Sequence, residues 1–211
     1  MDKYHFEREE IARFMRRLYR QNLTTTSGGN ISCRCADGNI AITASQADKG
    51  EQSAEFVGVV TPEGEQLTSW LKLSIETGLH LAVYAARPDV SAIVHAHPVT
   101  ATFFTATASC MLDTHITAES YAVSGEVVRI PYALMGTEKL AQLVAQYMKD
   151  YNCGLMENHG VITLGNSLLA AFDRMELLDN AAKQTIWAST IACKRLNQAQ
   201  LDEIDVMFGR K

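Results

Sequence analysis

The spacing of hydrophobic residues changes along the chain and predicts a mixture of helices and strands. Residues 6–21 place apolar side chains on one face at helical spacing and Arg and Glu on the other, which is typical of an amphipathic helix. Short apolar runs, separated by polar turns, then predict strands. The predicted strands are 31–34, 40–43, 56–61, 90–97, 127–132, 153–156 and 161–164, and the later helices are 74–87, 137–149, 167–193 and one beginning near 198.

Turn and cap residues support several of these boundaries. Pro62-Glu63-Gly64 predicts a turn, and Ser74 and Thr137 are suitable caps for the helices that follow them. No internal repeat, low-complexity tract or linker interrupts the pattern. The order of the elements predicts an α/β fold with helices on both sides of a sheet, in one domain over residues 1–211, and it leaves the strand order open.

Composition narrows the class of protein. A chain of 211 residues with 47% hydrophobic and 20% charged residues is typical of a soluble globular protein. The net charge of −5 favours neither a nucleic-acid partner nor long-range attraction of an anionic substrate. We expect no membrane association, because no apolar run approaches the roughly 20 residues of a membrane span and no signal segment is evident. Five cysteines without a CxxC pair favour reduced thiols in the cytoplasm.

A predicted strand carries two histidines in the segment Ile93-Val94-His95-Ala96-His97-Pro98. Side chains alternate between the faces of a strand, so His95 and His97 are expected to point the same way and to reach one metal ion. The alternative is a pair of histidines that are satisfied by hydrogen bonds at a strand end. The pair alone does not decide between these interpretations.

A third histidine lies between two apolar segments, in Glu157-Asn158-His159-Gly160. A tight turn there could present His159 to a cleft, although a single histidine in such a position is more often an ordinary loop residue. Three neutral imidazoles with one open position are the ligand set of catalytic zinc. No cysteine lies beside these histidines to act as a ligand.

Two further segments offer acid–base and anion-binding groups. Glu76 lies at the start of a predicted helix, with His80 one turn along the same face, and its carboxylate either compensates the helix dipole or accepts a proton. The loop Ser27-Gly28-Gly29-Asn30, with Thr43-Ala44-Ser45, provides backbone and side-chain donors for an anion. It matches neither the P-loop nor the dinucleotide fingerprint, so a simple turn is the alternative.

Six motifs in order resemble the class II aldolase/adducin family over nearly the whole chain. The family fold implied by this resemblance is a single three-layer α/β/α domain with a central, mainly antiparallel sheet. The family usually forms homotetramers with active sites between neighbouring subunits. The motifs are Ser27-Gly-Gly-Asn-Ile-Ser32, Ile42-Thr-Ala-Ser45, Ser74-Ile-Glu76…His80, Arg87-Pro-Asp89…Val94-His-Ala-His97, Pro131-Tyr…Gly136-Thr137 and Asn158-His-Gly160.

The resemblance also implies roles for individual residues. It assigns one Zn²⁺ per subunit to His95, His97 and His159, and general acid/base catalysis to Glu76. It implies a zinc-dependent aldolase that cleaves a ketose 1-phosphate, such as L-fuculose 1-phosphate, to dihydroxyacetone phosphate and an aldehyde. The residues that it places at the phosphate are Gly29, Asn30, Ser45 and Ser74.

Other activities of the same site remain open. A dehydratase, a decarboxylase or an epimerase of a related sugar phosphate would use the same metal, although the epimerases carry aspartate in place of Glu76. A non-catalytic interaction module, as in adducin, is the alternative from another class.

The chain also departs from the family pattern at several positions. Ile75 replaces a second phosphate-binding serine, Leu73 a proline, and Ala44 and Gln46 a proline and a glycine; the tail lacks a family tyrosine.

Two tyrosines are candidates for protonating the leaving group. These are Tyr121 and Tyr132, and for both we favour a role in packing.

Overall fold

Seven strands form one sheet in the computed structural model, which describes residues 2–210. The strands are β1 Asn30–Arg34, β2 Ile40–Thr43, β3 Val57–Val60, β4 Ala92–Ala96, β5 Val127–Ile130, β6 Cys153–Met156 and β7 Gly160–Gly165. The helices are α1 His5–Arg20, α2 Thr77–Ala86, α3 Val99–Thr105, α4 Ala118–Ser124, α5 Glu138–Tyr147, α6 Leu168–Ala188 and α7 Gln198–Met207. A short 3-10 turn, Ala54–Phe56, precedes β3.

The strand order across the sheet is β3-β2-β1-β4-β7-β6-β5. All neighbouring pairs are antiparallel except β5 and β6, which are parallel. The sheet is therefore mixed but mainly antiparallel, which confirms the predicted fold class. Strand β4 lies at its centre, between β1 and β7, so a side chain near the end of β4 has neighbours on both sides.

Two apolar clusters cover the two faces of this sheet and make the fold three-layered. On one face, Phe14 of α1, Phe104 of α3 and Phe172 of α6 pack in one cluster with Val94 of β4. On the other face, helices α2 and α5 pack against alternate strand residues such as Ile93. A layer of helices covers each face of the sheet. Because both faces are buried, the residues along each strand are almost all apolar rather than alternating with polar ones.

The predicted strands are all confirmed, with small shifts at their ends. The strand predicted at 90–97 ends at Ala96, so His97 lies just beyond it. Thr137 caps α5 as predicted, accepting a hydrogen bond from the backbone N–H of Leu140. The turn at Pro62-Glu63-Gly64 is also confirmed, with Gly64 at φ 92°.

Several helix predictions are corrected. Ser74 does not cap α2, because the helix begins at Thr77 and the Ser74 hydroxyl accepts from the N–H of Glu76. Helix α6 ends at Ala188 rather than near 193. Helices α3 and α4 are absent from the sequence prediction, since seven residues each are too short to establish a helical period. No helix within residues 2–210 has the length and hydropathy to cross a bilayer.

Candidate active site

Three histidines converge at one end of the central strand β4. His95 is on β4, His97 follows the end of that strand, and His159 is in the tight turn between β6 and β7. Pairing of His95 with Ile162, and of Ala96 with Val161, brings this turn beside the end of β4. One ring nitrogen from each histidine lies within 4.8 Å of the others, and the Nε2 atoms of His95 and His97 are 3.2 Å apart.

Local backbone geometry allows these rings to approach each other. Asn158 adopts a left-handed conformation, with φ 52°, which asparagine tolerates better than most residues. A Cβ at Gly160 would lie 2.3 Å from Cδ2 of His97 and 2.9 Å from the carbonyl oxygen of Ala96. The absence of a side chain at Gly160 therefore lets His97 lie against the turn that carries His159.

Glu76 joins the cluster from the first residue before α2. Its Oε2 atom lies 3.2 Å from Nε2 of His95, and its Oε1 atom lies 3.3 Å from Nε2 of His159. The carboxylate is only 6% exposed. Burial alone would raise the pKa of Glu76, but His95 and the hydrogen bonds from His95 and Asn30 lower the pKa on balance. Glu76 is therefore held as a buried anion.

The charges of the histidines are set by burial and by Glu76. Burial, together with His95 and His159, lowers the pKa of His97 to about 3, and burial and His95 lower the pKa of His159. Burial would also lower the pKa of His95, but the Glu76 carboxylate raises it on balance. His97 and His159 are therefore neutral, and the buried carboxylate requires positive charge near its oxygens.

The donor set fits a divalent metal ion. In His95, Nδ1 donates to the carbonyl oxygen of Val161 over 2.9 Å, which leaves Nε2 directed toward the other two histidines. Oε1 of Glu76 is buried without a hydrogen bond of good geometry among residues 2–210. The site therefore offers three imidazoles and a carboxylate whose negative charge needs compensation. Binding sites for zinc or a similar ion contain such groups.

A buried series of hydrogen bonds extends from Glu76 into the protein. Asn30, directly opposite His95 across the β1–β4 pair, donates from Nδ2 to Oε2 of Glu76 over 2.9 Å. Its Oδ1 atom lies 2.5 Å from Nε2 of His80, and Nδ1 of His80 lies 2.6 Å from the hydroxyl of Ser32. The Ser32 hydroxyl also bonds to that of Tyr84, over 2.8 Å. Because burial lowers the pKa of His80 to about 3, that ring is neutral.

Asn30 and His80 were singled out from the sequence, whereas Ser32 appeared only as the last residue of a motif and Tyr84 was not predicted. A usable signal was present. His80 and Tyr84 follow Glu76 at intervals of four residues, so they lie on one face of α2, in line with the residue that precedes the helix. Asn30 and Ser32 are two residues apart on β1 and therefore lie on the same face of the sheet.

A cavity of about 340 Å³ opens beside this cluster. The predicted phosphate residues Gly29, Asn30, Ser45 and Ser74 all line it, as do Glu76, His97 and His159. Gly29 is required there by its backbone, because its φ is 69° and a Cβ would lie 2.7 Å from the carbonyl oxygen of His95. The cavity is also lined by Lys49, which was not predicted as a site residue.

The candidate tyrosines lie in different surroundings. Tyr121 is buried and donates its hydroxyl to Asp205 over 3.1 Å, in agreement with a packing role. Tyr132 is 58% exposed, so the packing role favoured for it is wrong. Neither tyrosine lines the cavity beside the histidines.

The sequence and the fold are similar to those of known proteins. Residues 9–186 match the family described as Class II Aldolase and Adducin N-terminal domain. The chain is 33% identical over 183 residues to a 3-oxo-tetronate 4-phosphate decarboxylase of Escherichia coli O6:H1, covering 83% of this chain and 84% of that protein. It is 34% identical over 182 residues to a 5-deoxy-D-ribulose 1-phosphate aldolase of Bacillus thuringiensis, covering 84% and 83%. A solved L-fuculose 1-phosphate aldolase superposes with a TM-score of 0.86 at 27% identity, over 97% of this chain and 96% of that one.

Proposed function

The chain belongs to the class II aldolase and adducin family, and from that premise we propose that it is a metal-dependent lyase that breaks a carbon–carbon bond in a small phosphorylated ketose or keto acid. The observation that carries the proposal is the position of Glu76. Its carboxylate lies 3.2 Å from His95 and 3.3 Å from His159, and it also lines the cavity beside them. A proton acceptor is thus available next to the metal-binding groups.

His95, His97 and His159 would hold one zinc ion per subunit. When bound, such an ion supplies Lewis-acid stabilisation of the negative charge that develops on the substrate's oxygens. The hydrogen bond from His95 to Val161 keeps the ligating nitrogen of His95 free, and the hydrogen bond from Asn30 fixes the orientation of Glu76.

Glu76 is the group that moves a proton during the reaction. Cleavage leaves the bonding electron pair on the substrate fragment as an enediolate, and a proton must then be delivered to its carbon. The carboxylate takes up a proton, from the hydroxyl that becomes an aldehyde or from solvent, and passes it to that carbon. This role needs a carboxylate that is ionised at rest, which the lowered pKa of Glu76 supports.

The first candidate reaction is aldol cleavage of a ketose 1-phosphate, such as L-fuculose 1-phosphate, to dihydroxyacetone phosphate and an aldehyde. It is supported by the names of two relatives, the 5-deoxy-D-ribulose 1-phosphate aldolase and the L-fuculose 1-phosphate aldolase. The sugar's phosphate would occupy the part of the cavity lined by Gly29, Asn30, Ser45 and Ser74.

The second candidate is decarboxylation of a 3-oxo acid phosphate, supported by the name of the 33% identical relative. Loss of CO₂ from 3-oxo-tetronate 4-phosphate, followed by protonation of the same carbon, also gives dihydroxyacetone phosphate. Both candidates therefore generate the enediolate of one product and differ only in the fragment that leaves. Glu76 has the same task in each.

The experiment is to measure dihydroxyacetone phosphate released from a panel of ketose 1-phosphates and from 3-oxo-tetronate 4-phosphate, with and without a chelator. Release with an equimolar aldehyde supports the aldolase, and release with CO₂ supports the decarboxylase. If none of these substrates yields dihydroxyacetone phosphate, both candidate reactions are excluded. Loss of water or epimerisation would then identify a dehydratase or an epimerase. Metal-free protein without any turnover would support an adducin-like module.

Three properties of the whole protein complete the proposal. We infer a single domain over residues 1–211, of which Met1 and Lys211 lie outside the described residues. We infer a homotetramer with active sites near subunit interfaces, supported by exposed apolar side chains such as Met135, which lines the cavity and is 54% exposed. Light scattering tests the subunit count.

The cytoplasm is the inferred compartment, supported by five free cysteines.

A further inference from the structure

Lys49 is a fully buried lysine beside the candidate active site. It lies in the loop between β2 and β3, and its side chain is 1% exposed. Its backbone N–H donates to the carbonyl oxygen of Thr26, and its Nζ donates to the carbonyl oxygen of Ala44, both over 2.9 Å. Lys49 therefore connects the glycine loop before β1 to the segment that follows β2.

The positive charge of Lys49 is not balanced by a neighbouring carboxylate. Within residues 2–210, no Asp or Glu oxygen lies within 4.0 Å of its Nζ, and Ala44 accepts the one hydrogen bond that the ammonium makes. Burial lowers the pKa of Lys49 to about 8, and no charged group contributes to this shift. Buried ammonium groups are costly unless an anion pairs with them, and this ammonium retains two free N–H donors.

The cavity supplies the place for such an anion. Lys49 lines it together with Ser45 and Ser74, and among residues 2–210 it is the only Lys or Arg that does so. The hydroxyls of these serines donate to no acceptor within residues 2–210, and Ser74 uses its oxygen to accept from the N–H of Glu76. The cavity is thus lined by unused hydrogen-bond donors and one ammonium, in addition to Glu76 and the histidines.

We propose that Lys49 pairs with the phosphate group of the substrate, as its buried counter-ion and hydrogen-bond donor, beside the Ser45 and Ser74 hydroxyls that the family resemblance already assigns to the phosphate. This inference rests on the proposed function, which requires a phosphorylated substrate. It also accounts for binding of an anion by a protein of net charge −5, since the attraction is local. Lys49 then holds the substrate while Glu76 and the histidines act on the carbons.

The test compares Lys49→Met and Lys49→Arg with the wild type, and uses Lys149→Met as a control with the same charge change at an exposed lysine. Inorganic phosphate is titrated calorimetrically into the full chain, with chloride as the reference anion. Zinc content and circular dichroism are measured for each protein. We expect Lys49→Met to weaken phosphate binding by about 30-fold or more, Lys49→Arg to weaken it less, and Lys149→Met to leave it unchanged.

Kinetics then distinguish the two proposals. With the substrate that the wild type cleaves, Lys49→Met should raise KM more than it lowers kcat. A folded Lys49→Met protein whose phosphate affinity is within twofold of wild type overturns the role of Lys49, and leaves the lyase intact if dihydroxyacetone phosphate is still released. Phosphate binding that depends on Lys49 in a protein without lyase activity overturns the proposed function alone.

Two measurements cover the case in which Lys49→Met does not fold. Lys49→Gln retains a donor for Ala44 without the charge, and it should bind phosphate as weakly as expected for Lys49→Met. Phosphate should also raise the melting temperature of the wild type, while chloride at the same ionic strength should not. Equal effects of the two anions on the wild type would overturn the proposal without any variant.

Discussion

His80 and Asn30 are joined by a hydrogen bond of 2.5 Å between Nε2 and Oδ1. This bond determines which groups donate and which accept along the series of hydrogen bonds that extends from Glu76. A carboxylate only accepts hydrogen bonds, so the Asn30 amide nitrogen must face Glu76 and its oxygen must face His80. Nε2 of His80 therefore carries the proton, and its Nδ1 accepts from Ser32. Ser32 in turn accepts from Tyr84. The neutral ring of His80 thus prevents the Asn30 amide from turning over.

Replacing His80 with leucine tests this relationship. His80→Leu leaves Oδ1 of Asn30 buried without its donor, so the amide loses its fixed orientation toward Glu76. We expect kcat to fall by about 10- to 100-fold with little change in KM or zinc content, and the free energy of unfolding to fall by about 1–3 kcal/mol.

The control for His80→Leu is His115→Leu, a partly exposed histidine that pairs with Glu126 on the surface. That variant should keep kcat. Unchanged turnover in His80→Leu would mean that Asn30 holds Glu76 without help from His80.

Glu76→Gln tests the proton-transfer role directly. The amide has the shape of the carboxylate but no basicity, so we expect the variant to retain its metal and to lose about 10²- to 10⁴-fold in kcat. Zinc per subunit and dihydroxyacetone phosphate release are measured together. Glu63→Gln, at an exposed turn, serves as the control. Near-normal turnover in Glu76→Gln would remove Glu76 from proton transfer.

His95→Ala tests the metal assignment. His95 is fully buried and its Nε2 lies 3.2 Å from both His97 and Glu76, so its loss should abolish both zinc binding and activity. Metal content by mass spectrometry after dialysis is the measurement, with His115→Ala treated in the same way. A His95→Ala protein that retains one zinc ion per subunit would show that other groups hold the metal.

The sequence predicted the components of this site better than their arrangement. Strand alternation gave a common direction for His95 and His97, although β4 ends at Ala96 and the two rings are nearly perpendicular, at 83°. The approach of His159 depends on the pairing of β4 with β7, and the strand order was left open by the hydrophobic pattern. Local periodicity carries no information on which distant strands pair.

Lys49 shows most clearly that the local sequence does not reveal which loop residues are buried. It lies in the segment Ala47-Asp48-Lys49-Gly50-Glu51, whose composition is that of a solvated loop, and yet it is 1% exposed. Only the tertiary fold, which packs this loop against Thr26 and Ala44, buries it. The departure at Gln46 has a structural consequence too. It occupies a left-handed backbone position, with φ 60°, where the family pattern has glycine.

Gly160→Ala tests whether the closeness of the histidines depends on the missing side chain. The new Cβ would lie 2.3 Å from Cδ2 of His97 and 2.9 Å from the carbonyl oxygen of Ala96. The carbonyl belongs to the central strand and is less able to move, so His97 must be displaced. We expect weaker zinc binding and a loss of about 1–3 kcal/mol in the free energy of unfolding, measured in urea on metal-free protein.

The matched control for Gly160→Ala is Gly78→Ala. Gly78 lies within helix α2, and a Cβ there meets no atom within 4 Å. Alanine should therefore stabilise the protein by about 0.5–1 kcal/mol through the unfolded chain, without affecting zinc. If Gly160→Ala bound zinc as tightly as Gly78→Ala does, His97 would not need its present position to act as a ligand. The metal site would then tolerate a wider separation of His97 from the turn that carries His159.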